Sequence, residues 1–186
     1  MTVSIRTARP ADAPALARLA AITFPLACPP GSTHESQQAF IRDVLSAERF
    51  AAYLSDPSRV VLVAHETDDG TDPGADPGEP VGYTMLVDGE PTDDDVRAAI
   101  TLRPTIELSK CYVLPGHHGR GIAPALMAAS LDVGRARGAR GVWLGVNQEN
   151  ARAQAFYARH GFARVGTKHF LVGTRLEDDF VLERAL

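Results

Sequence analysis

The strands are predicted by apolar segments that either alternate with polar residues or run without interruption. Val3 to Thr7 alternates and predicts a first or edge strand, whereas Arg59 to Glu66 contains the apolar run Val60 to Ala64 and predicts a buried central strand. Val81 to Val87 predicts the second arm of an antiparallel hairpin with that strand. Two more short strands are predicted near the C-terminal end, around a turn region at Gly173 to Asp179: Phe162 to Val165 and Phe180 to Leu182.

Apolar residues at helical spacing, bounded by capping residues and prolines, predict the helices. Three helical segments are expected in the first half of the chain: from an Asp12 N-cap to Phe24-Pro25, from the Ser32-x-x-Glu35 capping box to Asp56-Pro57, and from a Thr92 cap to Ile100.

A strand that runs through a short turn into a helix dominates the second half, from Ile106 to Gly138. The turn, His117 to Ala123, contains Gly119 and Gly121, which let the backbone present successive N–H groups outward. Because the turn opens onto a helix N-terminus, it predicts an anion cradle suited to a phosphate group. An ordinary glycine-containing connection explains the two glycines equally well. The sequence lacks the Gly-Lys-Ser/Thr of a P-loop and the third glycine of a dinucleotide fingerprint.

The turn resembles the acetyl-CoA pyrophosphate loop of the GNAT superfamily of N-acetyltransferases. The family pattern is Gln or Arg, two residues, Gly, one residue, then Gly or Ala, and here His118 replaces the first residue. A second block, Val142 to Gly166, resembles the next conserved unit of that superfamily, with five residues in register: Asn150, Ala153, Tyr157, Gly161 and Phe162. The resemblance covers nearly the whole chain.

This resemblance implies an α/β (α+β) fold and an acetyl-CoA co-substrate. The fold would be a mixed, mostly antiparallel sheet of six to seven strands, flanked by about four helices and with a splayed central strand pair. A backbone N–H near Cys111 or Tyr112, beside a bulge, would polarise the thioester carbonyl. The residues that would bind acetyl-CoA are Tyr112, Val113, Leu114, His118, Gly119, Arg120, Gly121, Ile122, Ala123, Asn150 and Tyr157.

Two side chains are candidates for proton transfer. Tyr157 occupies the family position that protonates the departing CoA sulfur; the alternative is a core aromatic. A protonated alkylamine must lose a proton before it attacks, and Glu107 is the first candidate for the general base because it lies on the strand that would flank the thioester. It is equally well explained as a structural ion pair with Lys110 or Arg103. Cys111 is expected to point inward rather than to carry an acetyl group.

The acceptor is expected to be a primary amine of a small molecule or peptide, attacking directly in a ternary complex. His34, Glu35 and Asp178 are the candidate acceptor contacts, with Asp179 beside the last of them, and solvated surface positions are the alternative. The acids at Asp93 to Asp95 and Asp178 to Asp179 suggest a polyamine. A catalytically silent acyl-CoA-binding sensor is the rival function, and transfer of a longer acyl chain is a second enzymatic one.

Composition limits the remaining classes of function. The 186 residues predict one soluble domain, and a net charge of -4 without a Lys or Arg block argues against a nucleic-acid partner. We expect no membrane span or secretion signal, a cytoplasmic location, no metal, and free thiols at Cys28 and Cys111. Residues 67–80, rich in Asp, Gly and Pro, are expected to form a flexible loop, and a homodimer through the sheet edge stays open.

Overall fold

The computed structural model of the chain describes residues 2–67, 78–172 and 175–186. Within these residues it contains seven strands: β1 Thr2–Thr7, β2 Arg59–Thr67, β3 Gly82–Asp88, β4 Thr105–Val113, β5 Gly141–Asn147, β6 Ala163–Val172 and β7 Arg175–Ala185. Six α-helices accompany them: α1 Ala13–Ala27, α2 His34–Val44, α3 Ala47–Ser55, α4 Asp94–Ala99, α5 Ile122–Ala136 and α6 Ala151–Arg159. Residues 68–77 of the predicted acidic loop lie outside the described part.

The strands form one mixed sheet in the order β1-β2-β3-β4-β5-β7-β6. Every neighbouring pair is antiparallel except β4 and β5, which run parallel. The predicted mixed, mostly antiparallel sheet is therefore confirmed, with six α-helices in place of about four.

The central parallel pair also splays apart, as expected. β4 and β5 pair only at Thr105 with Gly141, Ile106 with Val142 and Glu107 with Trp143. Beyond Glu107, β4 continues to Val113 while β5 continues to Asn147, so the two strands diverge along most of their length.

Apolar side chains cover both faces of the sheet. On one face, helices α1 and α3 bury Leu16 and Phe50 against Tyr83 and Met85 of β3. On the other face, α5 buries Met127 with residues of β3, β4 and β5, including Leu86, Leu108 and Leu144. The splay of β4 from β5 lies between these two packed layers of side chains. No helix in the described ranges has the length and apolar composition needed to cross a membrane.

Helix boundaries differ from the predicted ones where local hydrogen bonds decide them. α1 continues past Pro25 to Ala27, and the Cys28 thiol donates to the Phe24 carbonyl in its last turn. The predicted Ser32 cap is replaced by Thr33, whose hydroxyl accepts the Ser36 N–H at 3.1 Å.

The predicted second helix is two helices, because Ser46 starts α3 by accepting the Arg49 N–H at 3.3 Å. The short helix α4 is likewise capped by Asp93 rather than by Thr92, with its carboxylate accepting the Val96 N–H at 3.0 Å.

The two C-terminal strands are longer than their apolar segments predicted. β6 and β7 pair from Ala163 with Glu183 to Val172 with Arg175, so most of the expected turn region belongs to strand β7. Charged side chains such as Lys168 and Asp179 interrupt the apolar pattern of this edge hairpin, while the backbone ladder continues through them.

Candidate active site

The divergence of β4 and β5 opens a cavity of about 290 Å³ in the middle of the sheet. Side chains of both strands and of the flanking helices line it. Because strands that splay leave backbone edges and space between them, the cavity connects the two faces of the sheet.

A β-bulge in β4 decides which side chains reach this cavity. Met85 of β3 pairs with Lys110, and the next residue, Leu86, pairs with Leu108, so Ser109 is the extra residue. The bulge lies two to three residues before the predicted position near Cys111 or Tyr112. Because alternation is shifted there, Glu107 and Lys110 both project on the face covered by α1 and α3.

The cavity has one half on each face of the sheet. The half beneath α1 to α3 has two walls. Its polar wall is formed by Glu107, Lys110, Tyr112, Gly145, Asn147, Lys168 and Asp179. Its apolar wall is formed by Phe24, Ala27, Pro29, Phe40 and Leu45. The half beneath α5 and α6 is formed by Leu108, Cys111, Val146, Asn150, Ala153 and Tyr157. We call these the first and the second half of the cavity.

The glycine-containing turn follows the carboxyl end of β4 and leads into α5. Gly119 and Gly121 both have φ +82°, a conformation that residues with a Cβ adopt with strain, and a Cβ on either would meet open space. The turn is therefore bent by its backbone and unobstructed outside, with the N–H groups of the first helical turn at its base. Pro124 contributes no N–H to this group.

Glu66, at the end of β2, ties this turn to the sheet. Its carboxylate lies 2.8 Å from His117 Nδ1 and accepts from Arg120 Nη1 at 3.3 Å. The half-buried Glu66 side chain thus holds two residues of the turn at once.

Comparisons with known proteins agree with this geometry. The sequence profile of the Acetyltransferase (GNAT) family matches residues 26–162. The chain belongs to this family. It is 46% identical to an uncharacterized N-acetyltransferase of Mycobacterium tuberculosis over 175 residues, covering 94% of this chain and 98% of the relative.

Solved GNAT structures share its fold. The PaiA N-acetyltransferase of Thermoplasma acidophilum, solved with coenzyme A, has a TM-score of 0.75 at 18% identity, with 100% of both chains covered. YncA of Salmonella typhimurium, solved with its cofactor acetyl-CoA, has a TM-score of 0.69 at 18% identity, covering 100% of this chain and 95% of that one. The chain is thus a GNAT-type acyltransferase, and its structural neighbours include proteins that bind coenzyme A.

Burial sets the protonation of three side chains in this GNAT cavity. Desolvation raises the pKa of Tyr157 well above 10 and that of Tyr112 likewise, so both phenols keep their protons. The same cause raises the pKa of the Cys111 thiol to about 12. A thiol that resists ionisation is a poor nucleophile, which agrees with the expectation that Cys111 carries no acetyl group.

Four of the predicted site residues line the cavity together: Glu107, Tyr112, Asn150 and Tyr157. Asn150 also caps α6, because its Oδ1 accepts the Ala153 N–H at 3.0 Å. The predicted loop residues His118, Gly119, Arg120, Gly121, Ile122 and Ala123 lie outside the cavity, past the end of β4. Val113 and Leu114 also do not line it; they pack into the cores on opposite faces of the sheet.

The three predicted acceptor contacts do not line the cavity. His34 and Glu35 are exposed at the start of α2. Asp178 is exposed and lies 2.8 Å from His169 Nδ1, whereas its neighbour Asp179 faces the cavity. The acids Asp93 to Asp95 belong to the start of α4 and do not line the cavity.

Sequence reasoning missed most of the first half of the cavity. Lys110 is predicted only as a structural ion-pair partner of Glu107, and the bulge that brings both side chains to one face has no clear sequence pattern. Gly145 is a position whose residue type indicates this part of the cavity, since a glycine inside a strand often marks the close approach of another group to the backbone. A Cβ there would lie 2.6 Å from Lys168 Cε and 3.2 Å from Asp179 Oδ2.

Proposed function

We propose that the protein transfers an acetyl group from acetyl-CoA to a primary amine, by direct attack within a ternary complex. The observation that carries this proposal is the cavity in the β4–β5 splay, with Tyr157 in its second half and Glu107 in its first. An amine that enters from the first half would meet a thioester held at the splay without any covalent enzyme intermediate.

The donor would be held by backbone groups for most of its length. N–H groups of Gly119 to Ala123 would bind the pyrophosphate, supported by the positive end of the α5 dipole. The pantetheine arm would run along β4 past Tyr112, where the strand edge has no β5 partner. Asn150 would orient the donor beside Tyr157.

Tyr157 would supply the proton that the departing thiolate needs. Its raised pKa keeps the phenol protonated at neutral pH, and it lies in the half of the cavity that contains Asn150 and Cys111. The phenol is a weaker acid than the thiol that forms, whose pKa is about 8.5, so Tyr157 would be a weak but workable donor.

Glu107 would accept the proton of the attacking ammonium, directly or through water. The structural alternative with Arg103 is disfavoured, because Arg103 pairs with Glu90 at 3.0 Å and donates to the carbonyls of Arg97 and Ile100. The electrostatic attraction between Glu107 and Lys110, on the same face of the sheet, is the competing role for Glu107.

The test is CoA release from acetyl-CoA, followed with a thiol reagent, across polyamines, aminoglycosides, amino acids and short peptides. Wild type, Tyr157→Phe and Glu107→Gln are assayed together. Turnover of one amine class that falls in both variants supports the function and both proton roles. Binding of acetyl-CoA without turnover of any amine contradicts it and favours the acyl-CoA sensor.

A further inference from the structure

We propose that the acceptor carries a carboxylate as well as its amine, and that the ammonium of Lys110 binds this carboxylate. The acceptor would be a small zwitterion of the amino-acid class with an apolar side chain, rather than a polyamine. This inference rests on the proposed acetyl transfer and names the substrate class of the same cavity.

Lys110 offers a cation with no fixed partner in the described part of the chain. Its half-buried side chain lines the first half of the cavity, and Nζ lies 5.9 Å from the Tyr53 ring centroid. Among residues 2–67, 78–172 and 175–186, Lys110 makes no hydrogen bond or ion pair through its ammonium. A half-buried cation that lines a cavity and forms no ion pair there is suited to binding an anion.

The other cation of this wall already has a carboxylate beside it. Lys168 pairs in register with Asp179, and a Cβ on Gly145 would lie 3.1 Å from Lys168 Nζ and 3.2 Å from Asp179 Oδ2. The wall therefore contains two charged cross-strand neighbours, Lys168 and Asp179, plus Glu107 and Lys110. Glu107 suits the amine of the acceptor, and Lys110 suits a negative group.

The electrostatics around Lys110 disfavour a polycation. Desolvation lowers the pKa of Lys110 to about 8; Glu107 opposes this shift, while Arg59 and Lys168 contribute to it. Two cations thus already repel the Lys110 ammonium, and a polyamine would add more positive charge. A bound carboxylate would instead offset both the desolvation and the repulsion.

The apolar wall of the first half favours an apolar side chain on the acceptor. Phe24 and Phe40 stack with ring centroids 4.5 Å apart and an interplanar angle of 8°, and Leu45 continues the same wall. An aliphatic or aromatic side chain would bury its surface here while its amine and carboxylate meet Glu107 and Lys110.

The experiment compares acceptors that differ only at the carboxylate. L-phenylalanine is assayed against phenylalaninamide and 2-phenylethylamine, and L-leucine against leucinamide and 3-methylbutylamine, with spermidine added. We expect kcat/KM of each amino acid to exceed that of its amide and its amine by at least about tenfold, as for a charge-assisted contact. Lys110→Met should remove this preference by raising KM for the amino acids alone, and Lys110→Arg should keep most of it.

Two outcomes overturn the inference while the acetyltransferase activity stands. Amides, amines or spermidine turning over as well as the amino acids would exclude a carboxylate subsite. An equal fall in kcat for all acceptors in Lys110→Met would assign Lys110 to proton transfer instead.

If no amine turns over and the proposed function itself fails, calorimetry tests whether Lys110 binds a carboxylate. L-phenylalanine and 2-phenylethylamine are titrated into the CoA-saturated protein. Binding of the amino acid alone, lost in Lys110→Met, supports the carboxylate subsite, and equal or absent binding of both ligands contradicts it.

Discussion

Glu107 and Lys110 lie three positions apart in β4, yet their side chains share one face of the sheet. In a regular strand an odd separation puts two side chains on opposite faces. The extra residue Ser109 shifts the alternation, so Lys110 pairs with Met85 and Glu107 with Val87 on the α1 to α3 side. The bulge thereby gives this half of the cavity one negative and one positive group from a single strand.

Tyr157→Phe should lower kcat by about 100-fold and leave KM for acetyl-CoA nearly unchanged, because it removes a proton donor and keeps the ring. Steady-state kinetics checks this. Tyr83→Phe is the matched control: its buried hydroxyl has no hydrogen-bond partner in the described structure and does not line the cavity. Its kcat should equal that of the wild type. An unchanged kcat in Tyr157→Phe would leave Tyr157 as a core aromatic.

Gly121→Ala should lower the free energy of unfolding by about 1 kcal/mol, because φ is +82° and a residue with a Cβ adopts this conformation with strain. It should also raise KM for acetyl-CoA, because the Cβ would enter the open space outside the turn, where the pyrophosphate would bind. Gly138→Ala is the control, since Gly138 has φ +74°, is equally open and lies past the other end of α5. It should show a similar loss of stability with an unchanged KM. Urea denaturation and kinetics measure both, and equal KM values for the two variants would contradict a phosphate-binding turn.

Glu66→Ala should raise KM for acetyl-CoA by about three- to tenfold with a smaller change in kcat, because His117 and Arg120 lose their shared anchor. Acetyl-CoA binding by calorimetry checks the same effect without an acceptor. Glu79→Ala removes an exposed ion pair with Arg18 and should change neither value. A weaker acetyl-CoA affinity in both variants would point to a general charge effect.

Lys110→Met should raise the free energy of unfolding at pH 7 by about 1 to 2 kcal/mol, because it removes a desolvated charge. The pKa of Lys110 is about 8 in the folded protein and about 10.4 in an unfolded chain, so the unfolded state binds more protons between these values. The free energy of unfolding of the wild type therefore rises with pH across that window, and the difference between Lys110→Met and the wild type should become smaller.

Urea denaturation at pH 7 and pH 9.5 measures this difference. Arg135→Met, on the exposed side of α5, is the control, because it removes a solvated charge rather than a desolvated one. A pH-independent advantage of Lys110→Met would show that packing, not charge, is responsible.

Much of the site could be predicted because it depends on local sequence. Gly119 and Gly121 adopt a conformation that glycine alone adopts readily, and Asn150 caps the helix that carries Tyr157. These are short-range relationships, so the residues of two sequence blocks were sufficient to predict them. The position of the acidic residues relative to the cavity was not predictable from sequence, because the exposed Asp178 and the half-buried Asp179, which lines the cavity, are adjacent in an edge hairpin.

The sequence by itself determined the strand–turn–helix unit, which follows from periodicity and glycine positions, and the family, whose motifs lie in register along the chain. The mixed sheet was implied by the resemblance to that family. Only the tertiary structure decided which charged side chains line the first half of the cavity. The bulge at Ser109 and the pairing of β6 with β7 bring Lys110, Lys168 and Asp179 to Glu107. Such contacts depend on strand register, and register is set by packing between residues far apart in sequence.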